Sequence, residues 1–397
     1  ILSSILGGDN GSSDTASCFD PMANMEITIE MDPGTFDVKK LQGLKDAGFN
    51  RISLGVQSFD DTILESIGRV HRRRDIFESI QMMEQVFGRD GVNYSLDLIS
   101  GLPGLTPTKW IETLETAMKL VPQPNHLSIY DLQVEQGTVF GKWYGKQQRN
   151  NDDAEAEAAK EGILSGAQEG TRATPDVSSQ TDKEQHQRLP LPPGEDCAFM
   201  YKYAAGYLRS KGYEHYEISS YARREELGSR RSQHNQIYWE IDSEWYSVGL
   251  GATNRVKGHR FYRPRAMSDY IKWVREQKES MLTAKESGTS WVPDWLPPVR
   301  VTDKNDHVVV DDDYLADVIM TRLRTCEGLD LDWVSKVFGE DRNKAILHGA
   351  ELGLELGIAK HDISNGRNSL RLVDPDGFLF SNSIISSIFL ELGELGE

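Results

Sequence analysis

Residues 51–57 read RISLGVQ. Side chains alternate between faces along an extended chain. Ile52, Leu54 and Val56 therefore share one face, and Ser53, Gly55 and Gln57 the other. The same division recurs on both sides of this stretch. In 94–100 (YSLDLIS), Tyr94, Leu96 and Leu98 oppose Ser95 and Asp97; in 26–31 (EITIEM), Ile27, Ile29 and Met31 oppose Thr28 and Glu30. A fourth strand is expected at 126–132, HLSIYDL. Helical stripes lie between the strands: Ile76, Phe77, Ile80, Met83 and Phe87 in 74–87, then Trp110, Ile111, Leu114, Ala117 and Met118 in 107–120. Strands alternating with helices mean parallel neighbours joined by right-handed crossovers, hence an α/β sheet or barrel.

The polar faces say where chemistry belongs. A barrel interior is normally filled with bulky branched residues. A small, polar interior leaves room for a ligand instead. Glu30, Gln57 and Asp97 all sit toward the carboxyl ends of their strands, where barrel sites are built. One such residue would be read as a loop cap or an arginine partner. Three strands repeating the pattern favour a site. Arg69, in the turn SIGRVH, has the fork that pairs bidentately with a ligand carboxylate, with an ordinary surface arginine as the competing reading.

The rest of the chain sets bounds. Its 397 residues suffice for two or three domains. A formal charge of −18 argues against a general binder of nucleic acid or anionic membranes, which needs a basic face. No apolar run is long enough to cross a bilayer, so no integral membrane segment is expected. Cys18, Cys197 and Cys326 lie far apart with no CxxC or CxxxCxxC spacing, so this chain holds no metal cluster through cysteine alone. A disulfide framework is not expected either, and a soluble protein of a reducing interior fits best: cytoplasm, or the matrix of a mitochondrion or plastid. ILSSILGGDN resembles neither a signal peptide nor an Arg-rich transit peptide.

Composition divides the chain. Residues 1–24 read as a Gly/Ser/Asp-rich loop with the remnant of an N-terminal unit, and 25–145 as the barrel core. Residues 146–196 are a polar, acidic insertion with some helix at 153–168. An α+β region spans 197–275, a linker 276–309, and a winged-helix-like helical domain 310–397. That last order is known from DNA readers, but the acidic balance and the lack of a basic recognition helix make it a packing module.

IEMDPGT, NRISLGVQSFD, IGRVH, DLISGLPG and HLSIYDLQVEQGTVF stand in one order at barrel spacing. Together they resemble the radical S-adenosylmethionine (SAM) proteins of the oxygen-independent coproporphyrinogen III oxidase group, over roughly residues 25–392 apart from the insertion. The resemblance implies a radical SAM (β/α) barrel with a HemN-like C-terminal domain, binding SAM beside a [4Fe–4S] cluster. It places Glu30, Gln57, Arg69 and Asp97 around SAM. It assigns no catalytic residue. The family's CxxxCxxC loop and GGGTP segment are absent from this sequence, so the barrel is expected to lack its first strands, as in a partial sequence. Radical chemistry by the chain as given is not expected, and whether it is an enzyme stays open.

Two subgroups share these motifs. One decarboxylates coproporphyrinogen III in porphyrin biosynthesis. The other, the HemW type, is a haem chaperone delivering haem to acceptor proteins. HNQIYW (residues 234–239), followed by YSVGLGA (246–252), is similar to the HNxxYW motif of the chaperones. The resemblance makes His234 the candidate haem iron ligand; without it, a structural histidine is the plainer reading. His71, His126, His215 and His259 are weaker candidates, and His126 is expected to pack at the barrel base. The favoured expectation is a haem-binding chaperone; the alternative is a SAM-dependent oxidase.

Overall fold

The computed structural model describes residues 25–145, 188–289 and 312–394, apart from positions 90, 92, 226, 227, 242, 257, 258 and 365. Cys18, the expected helix at 153–168 and the remainder of 1–24 lie outside the described residues. So do 146–187 of the insertion.

The four expected strands form at almost the expected places: β1 (Thr28–Met31), β2 (Arg51–Gln57), β3 (Tyr94–Ser100) and β4 (His126–Asp131). They lie parallel in the order β1-β2-β3-β4. Three helical segments connect them: α1 (Val38–Asp46), the pair α2 (Asp61–Ser66) and α3 (Arg73–Phe87), and α4 (Pro107–Met118). Local chemistry explains where these helices begin. The Asp37 and Asp60 side chains accept amide hydrogens of the first turns of α1 and α2, and Thr106 caps α4 ahead of Pro107.

The apolar strand faces make the core. Ile52, Leu54, Val56, Tyr94, Leu96 and Leu98 are all buried against Ile76, Ile80, Met83, Trp110 and Leu114 of the helices. Trp110 is fully buried, and its indole N–H donates to the Met200 carbonyl at 2.9 Å. One stripe is rotated from its expectation. Phe77 is exposed, while Ser79 and Val86 of α3 are buried. Phe77 instead lies beside Phe59 and the Arg73 guanidinium at the helix edge.

The sheet does not stop at β4. Helix α5 (Gly194–Ser210) leads into the hairpin β5 (Tyr213–Glu217) and β6 (Ser220–Glu225), and β6 pairs antiparallel with β4. The boundary expected at residue 197 falls inside α5, and the sheet continues beyond it. Among the described residues that sheet is open, with β1 at one edge and β5 at the other.

A two-residue strand, β7 (Gly228–Ser229), then precedes helix α6 (Gln233–Trp239), the hairpin β8 (Thr253–Val256) and β9 (His259–Tyr262), and helix α7 (Met267–Ser287). The stretch 276–309 was expected to be a linker, but α7 occupies its first part and stops at Gly288, whose φ of 69° suits a residue without a Cβ. Residues 290–311 lie outside the described residues.

The C-terminal region has the expected winged-helix-like order. Helices α8 (Asp312–Arg322), α9 (Leu331–Phe338) and α10 (Glu340–Gly349) precede the wing strands β11 (Ala359–Ser364) and β12 (Arg367–Leu372), with α13 (Ser381–Glu394) last; short elements β10 (Leu329–Asp330), α11 (Glu351–Glu355) and α12 (Asp376–Leu379) fall between. It has its own core around Ile319, Leu331, Ile346 and Ile388. It also docks on the large sheet. The Ile218 and Cys326 amides donate to the Arg324 and Tyr216 carbonyls at 3.0 Å each, and His215 Nδ1 meets Asp374 at 2.7 Å. No described helix is long and apolar enough to cross a membrane.

Candidate functional site

Strand register builds the site. Glu30 lies opposite Ser53, Ser53 opposite Ser95, and Ser95 opposite His126. A polar row thus crosses four strands on the face away from the helices. Toward the strand ends, Asp97 lies opposite Ser128. Above this row is a cavity of about 310 Å³. Glu30, Gln57, Arg69, Asp97 and His234 all line it, together with Arg51, Ser53, Ser128, Tyr130 and Asn235. The five candidate site residues come from five separate segments, and the fold brings them to one cavity.

Each side chain has a local reason for its place. Gln57 ends β2 with φ of 63°, in the left-handed region that disfavours side chains. The β2–β3 register slips between Leu54 and Gln57 at the same point, so the strand leaves the ladder where Gln57 enters the cavity lining. Gly55 leaves space beside it. A Cβ there would lie 2.8 Å from Asp32 Oδ1 and 3.0 Å from Gln57 Nε2. Asp32 in turn accepts from Arg69 Nη1 at 3.0 Å, which orients the Arg69 fork.

Asp97 is half-buried. Ser53 Oγ donates to both its oxygens, at 3.1 and 3.0 Å, and Ser95 Oγ adds a longer bond of 3.4 Å. Burial raises the Asp97 carboxyl above its usual value, against the lowering pull of Ser53, Ser128 and the Arg51 guanidinium. Arg51 is 3% exposed, donates to Thr28 Oγ1 at 3.4 Å and stands 3.9 Å from Glu26.

His234 is exposed in the first turn of α6. The Ser232 side chain caps this helix by accepting from the Asn235 amide at 3.2 Å, and Glu26 accepts from the His234 amide at 3.1 Å. The imidazole stands edge-on to Tyr238 with centroids 5.2 Å apart, and Tyr238 meets Trp245 the same way at 5.0 Å. Beyond them Tyr246 and Val248 are 69% and 84% exposed.

The weaker histidine candidates are placed differently. His71 is buried with Nε2 3.2 Å from the Val56 carbonyl, His126 is fully buried, and His215 is bound to Asp374. The His259 side chain lies outside what the structure describes. Sequence reading missed Arg51, Ser128 and Asn235. The signals were a charged residue opening an apolar strand, a serine in phase with Asp97, and the neighbour of His234.

A larger cleft of about 570 Å³ lies at the opposite strand ends, lined by Arg89, Lys119, Arg223 and Arg230 among others. Those cations face acids already: Arg89 meets Glu84, Lys119 meets Glu115, and Arg223 and Arg230 share Glu225. Among the described residues no three His, Cys, Asp or Glu side chains group to hold a metal ion. Cys197 and Cys326 are not in the cavity lining, and neither forms a disulfide.

Residues 18–117 match the family model of the radical SAM superfamily. The protein named heme chaperone HemW from Synechocystis sp. is 32% identical over 382 residues, covering 93% of this chain and 75% of that protein. HemW from Bacillus subtilis is 32% identical over 252 residues, covering 64% of this chain and 53% of its own length. The mitochondrial radical S-adenosyl methionine domain-containing protein 1 from Bos taurus is 30% identical over 234 residues, and this chain covers 41% of it. The chain thus spans three quarters of the first relative and about half of the others. Among solved structures, coproporphyrinogen III oxidase (HemN) from Escherichia coli superposes with a TM-score of 0.55 at 17% identity, over 91% of this chain and 69% of that one, a likeness of fold. The chain belongs to the radical SAM family, in its HemW-type branch.

Proposed function

We propose that this protein is a haem-binding chaperone of the HemW type that passes haem to acceptor proteins. In this reading SAM sits in the strand-end cavity and haem, the cargo, is held at its rim by His234. The observation that carries the proposal is the exposure of His234 on the lining of that cavity, beside the Tyr238–Trp245 ring pair. A neutral imidazole is a good haem iron ligand, and a flat apolar porphyrin suits exposed aromatic and aliphatic side chains.

The cavity residues fit SAM. The space kept open at Gly55 admits a ligand next to Gln57. Asp97 and Glu30 are acceptors for ribose hydroxyls or the methionine ammonium, and Arg69 is a fork for the methionine carboxylate. SAM would supply a sulfonium-activated carbon when bound. What the chain itself does is orient its polar ends and shield them beside Ile99 and Tyr130. The described residues do not fit a [4Fe–4S] cluster, since they offer no cysteine group, and no step through a cluster is derived for them.

Oxidative decarboxylation of a porphyrinogen is the less favoured reading, because the oxidase shares the fold at low identity while the chaperones align along most of the chain. A hemin titration of the full chain tests the proposal. It predicts a saturable Soret band at one haem per chain, and transfer of that haem to a haem-depleted acceptor protein. A linear, unsaturable response would overturn it.

A further inference from the structure

One buried network joins the two proposed ligand positions, and its middle members, from Ser95 to Ser232, line neither. It starts at Asp97 in the cavity. Ser95 Oγ, fully buried, donates to Asp97 at 3.4 Å and lies 3.0 Å from His126 Nδ1. His126 is the first residue of β4 and fully buried; its Nε2 lies 2.9 Å from the Tyr216 hydroxyl. The Tyr216 ring, on β5, lies 5.1 Å beneath the guanidinium of Arg231, the neighbour of Ser232, and its hydroxyl faces the Ser232 backbone and the Ser220 side chain. Ser232 is the cap of α6, the helix that carries His234. The row runs from the SAM pocket to the base of the haem-ligand helix through four groups that are each 2% exposed or less: Ser95, His126, Tyr216 and Ser232.

The chemistry of the two ends gives the row one polarity. The Ser232 N–H and the Ser220 hydroxyl both face the Tyr216 oxygen as donors, which leaves the phenol hydrogen for His126 Nε2. An ionised Asp97 only accepts, so Ser95 spends its hydrogen there and receives one from His126 Nδ1. Both ends are satisfied by the same neutral tautomer of His126, with the hydrogen on Nδ1. Burial agrees, since it pushes the imidazole well below its ordinary pKa. Hydrogen bonds aligned in one sense polarise one another. Displacing either end then disturbs the other.

We propose that His126 and Tyr216 are positioning residues that link Asp97 to the α6 cap, so that SAM and haem bind with coupled affinities. The inference rests on the SAM and haem assignments above. Linkage is reciprocal: the factor by which SAM changes haem affinity equals the factor by which haem changes SAM affinity.

The test measures hemin affinity of the full chain with and without saturating SAM, in the parent protein, Tyr216→Phe and Ser95→Ala. Both variants remove one hydroxyl and no ligand contact. The expected result is a change of about fivefold or more in the parent, at the lower end of typical coupling, and less than about twofold in either variant. Nitrogen NMR of His126 should show the Nδ1–H tautomer in the parent and a shifted equilibrium in Tyr216→Phe. If the parent binds both ligands independently, or the variants keep the full coupling, the proposal is wrong while the assignments stand. An Nε2–H tautomer in the parent also overturns it. If the parent binds neither ligand, the underlying assignments fail instead.

Discussion

Gly55→Ala tests whether the small interior face of β2 exists to make room for a ligand. The position is buried and its backbone is compatible with alanine, so the strand itself gains. Alanine in a strand is favoured over glycine by roughly 0.5–1 kcal/mol of backbone entropy. Against that, the new methyl would lie 2.8 Å from Asp32 Oδ1 and 3.0 Å from Gln57 Nε2. Both are ends of side chains, which yield by a few tenths of an ångström more cheaply than backbone does. Overpacking costs typically about 1–3 kcal/mol, and these movable ends put the cost near the bottom of that range. The two effects nearly cancel, so the urea midpoint should change little. The ligand site cannot adapt so easily. Asp32 holds Arg69, and Gln57 sits on a strained backbone. Losing hydrogen bonds to charged ligand groups costs about 1.5–3 kcal/mol each, which means SAM binding weaker by roughly 10-fold to 100-fold. Isothermal titration with SAM and urea unfolding on the same sample measure both quantities. Unchanged SAM affinity together with a large loss of stability would refute the reasoning, because Gly55 would then serve packing alone.

Other consequences follow from the same contacts. Asp97→Asn should raise the melting temperature of the ligand-free protein at pH 7 while weakening SAM binding: burial raises the carboxyl's pKa, so the ionised form is a cost to the fold that an amide removes. A fall in melting temperature, seen by calorimetry, would contradict this. Asp374 behaves oppositely. Burial raises its carboxyl, but His215 and Arg209 overcome that and hold it below its usual value. Its contribution is full above the usual carboxylate range and disappears as pH falls through the lowered value. Asp374→Asn should therefore destabilise the chain by about 1–3 kcal/mol near neutrality, with the gap to the parent closing in acid; a gap constant with pH would count against the His215 pairing. Trp110→Ala, which also strips the Met200 carbonyl of its donor, should cost about 3–5 kcal/mol in urea unfolding, and a loss under 1 kcal/mol would show that α4 and α5 do not share one core.

Much of this was legible because it is local. The alternation in RISLGVQ and YSLDLIS fixes which side chains meet the helices, and the structure buries those residues. Ser53, Gln57 and Asp97 fall on the other face and line the cavity. What stayed hidden depends on partners distant in sequence. Nothing in the pattern of Ser220–Glu225 says that it pairs with His126–Ser128, since an antiparallel neighbour obeys the same period of two as a parallel one. The burial of His126 was expected, but its place between Ser95 and Tyr216 follows from register across four strands, β3, β4, β6 and β5. Phe77 was misplaced because the stripe it belongs to is wide, and Ser79 lies beneath a close backbone approach: its hydroxyl accepts from the Gly34 amide at 3.3 Å. The linker expected from residue 276 failed at its start, because α7 runs on to Ser287 with no buried residue, and its exposed Met281 and Leu282 give the stretch little apolar patterning.

The central claim is that His234 binds the haem iron. Hemin titration of His234→Ala beside the parent chain, followed by the Soret band and by electron paramagnetic resonance of the ferric complex, tests it most directly. The account predicts that the variant loses the histidine-ligated signal and at least about tenfold in affinity, the equivalent of roughly 1.4 kcal/mol, while SAM binding at the cavity floor persists. Equal affinity and an unchanged ligand-field signature in the variant would contradict it.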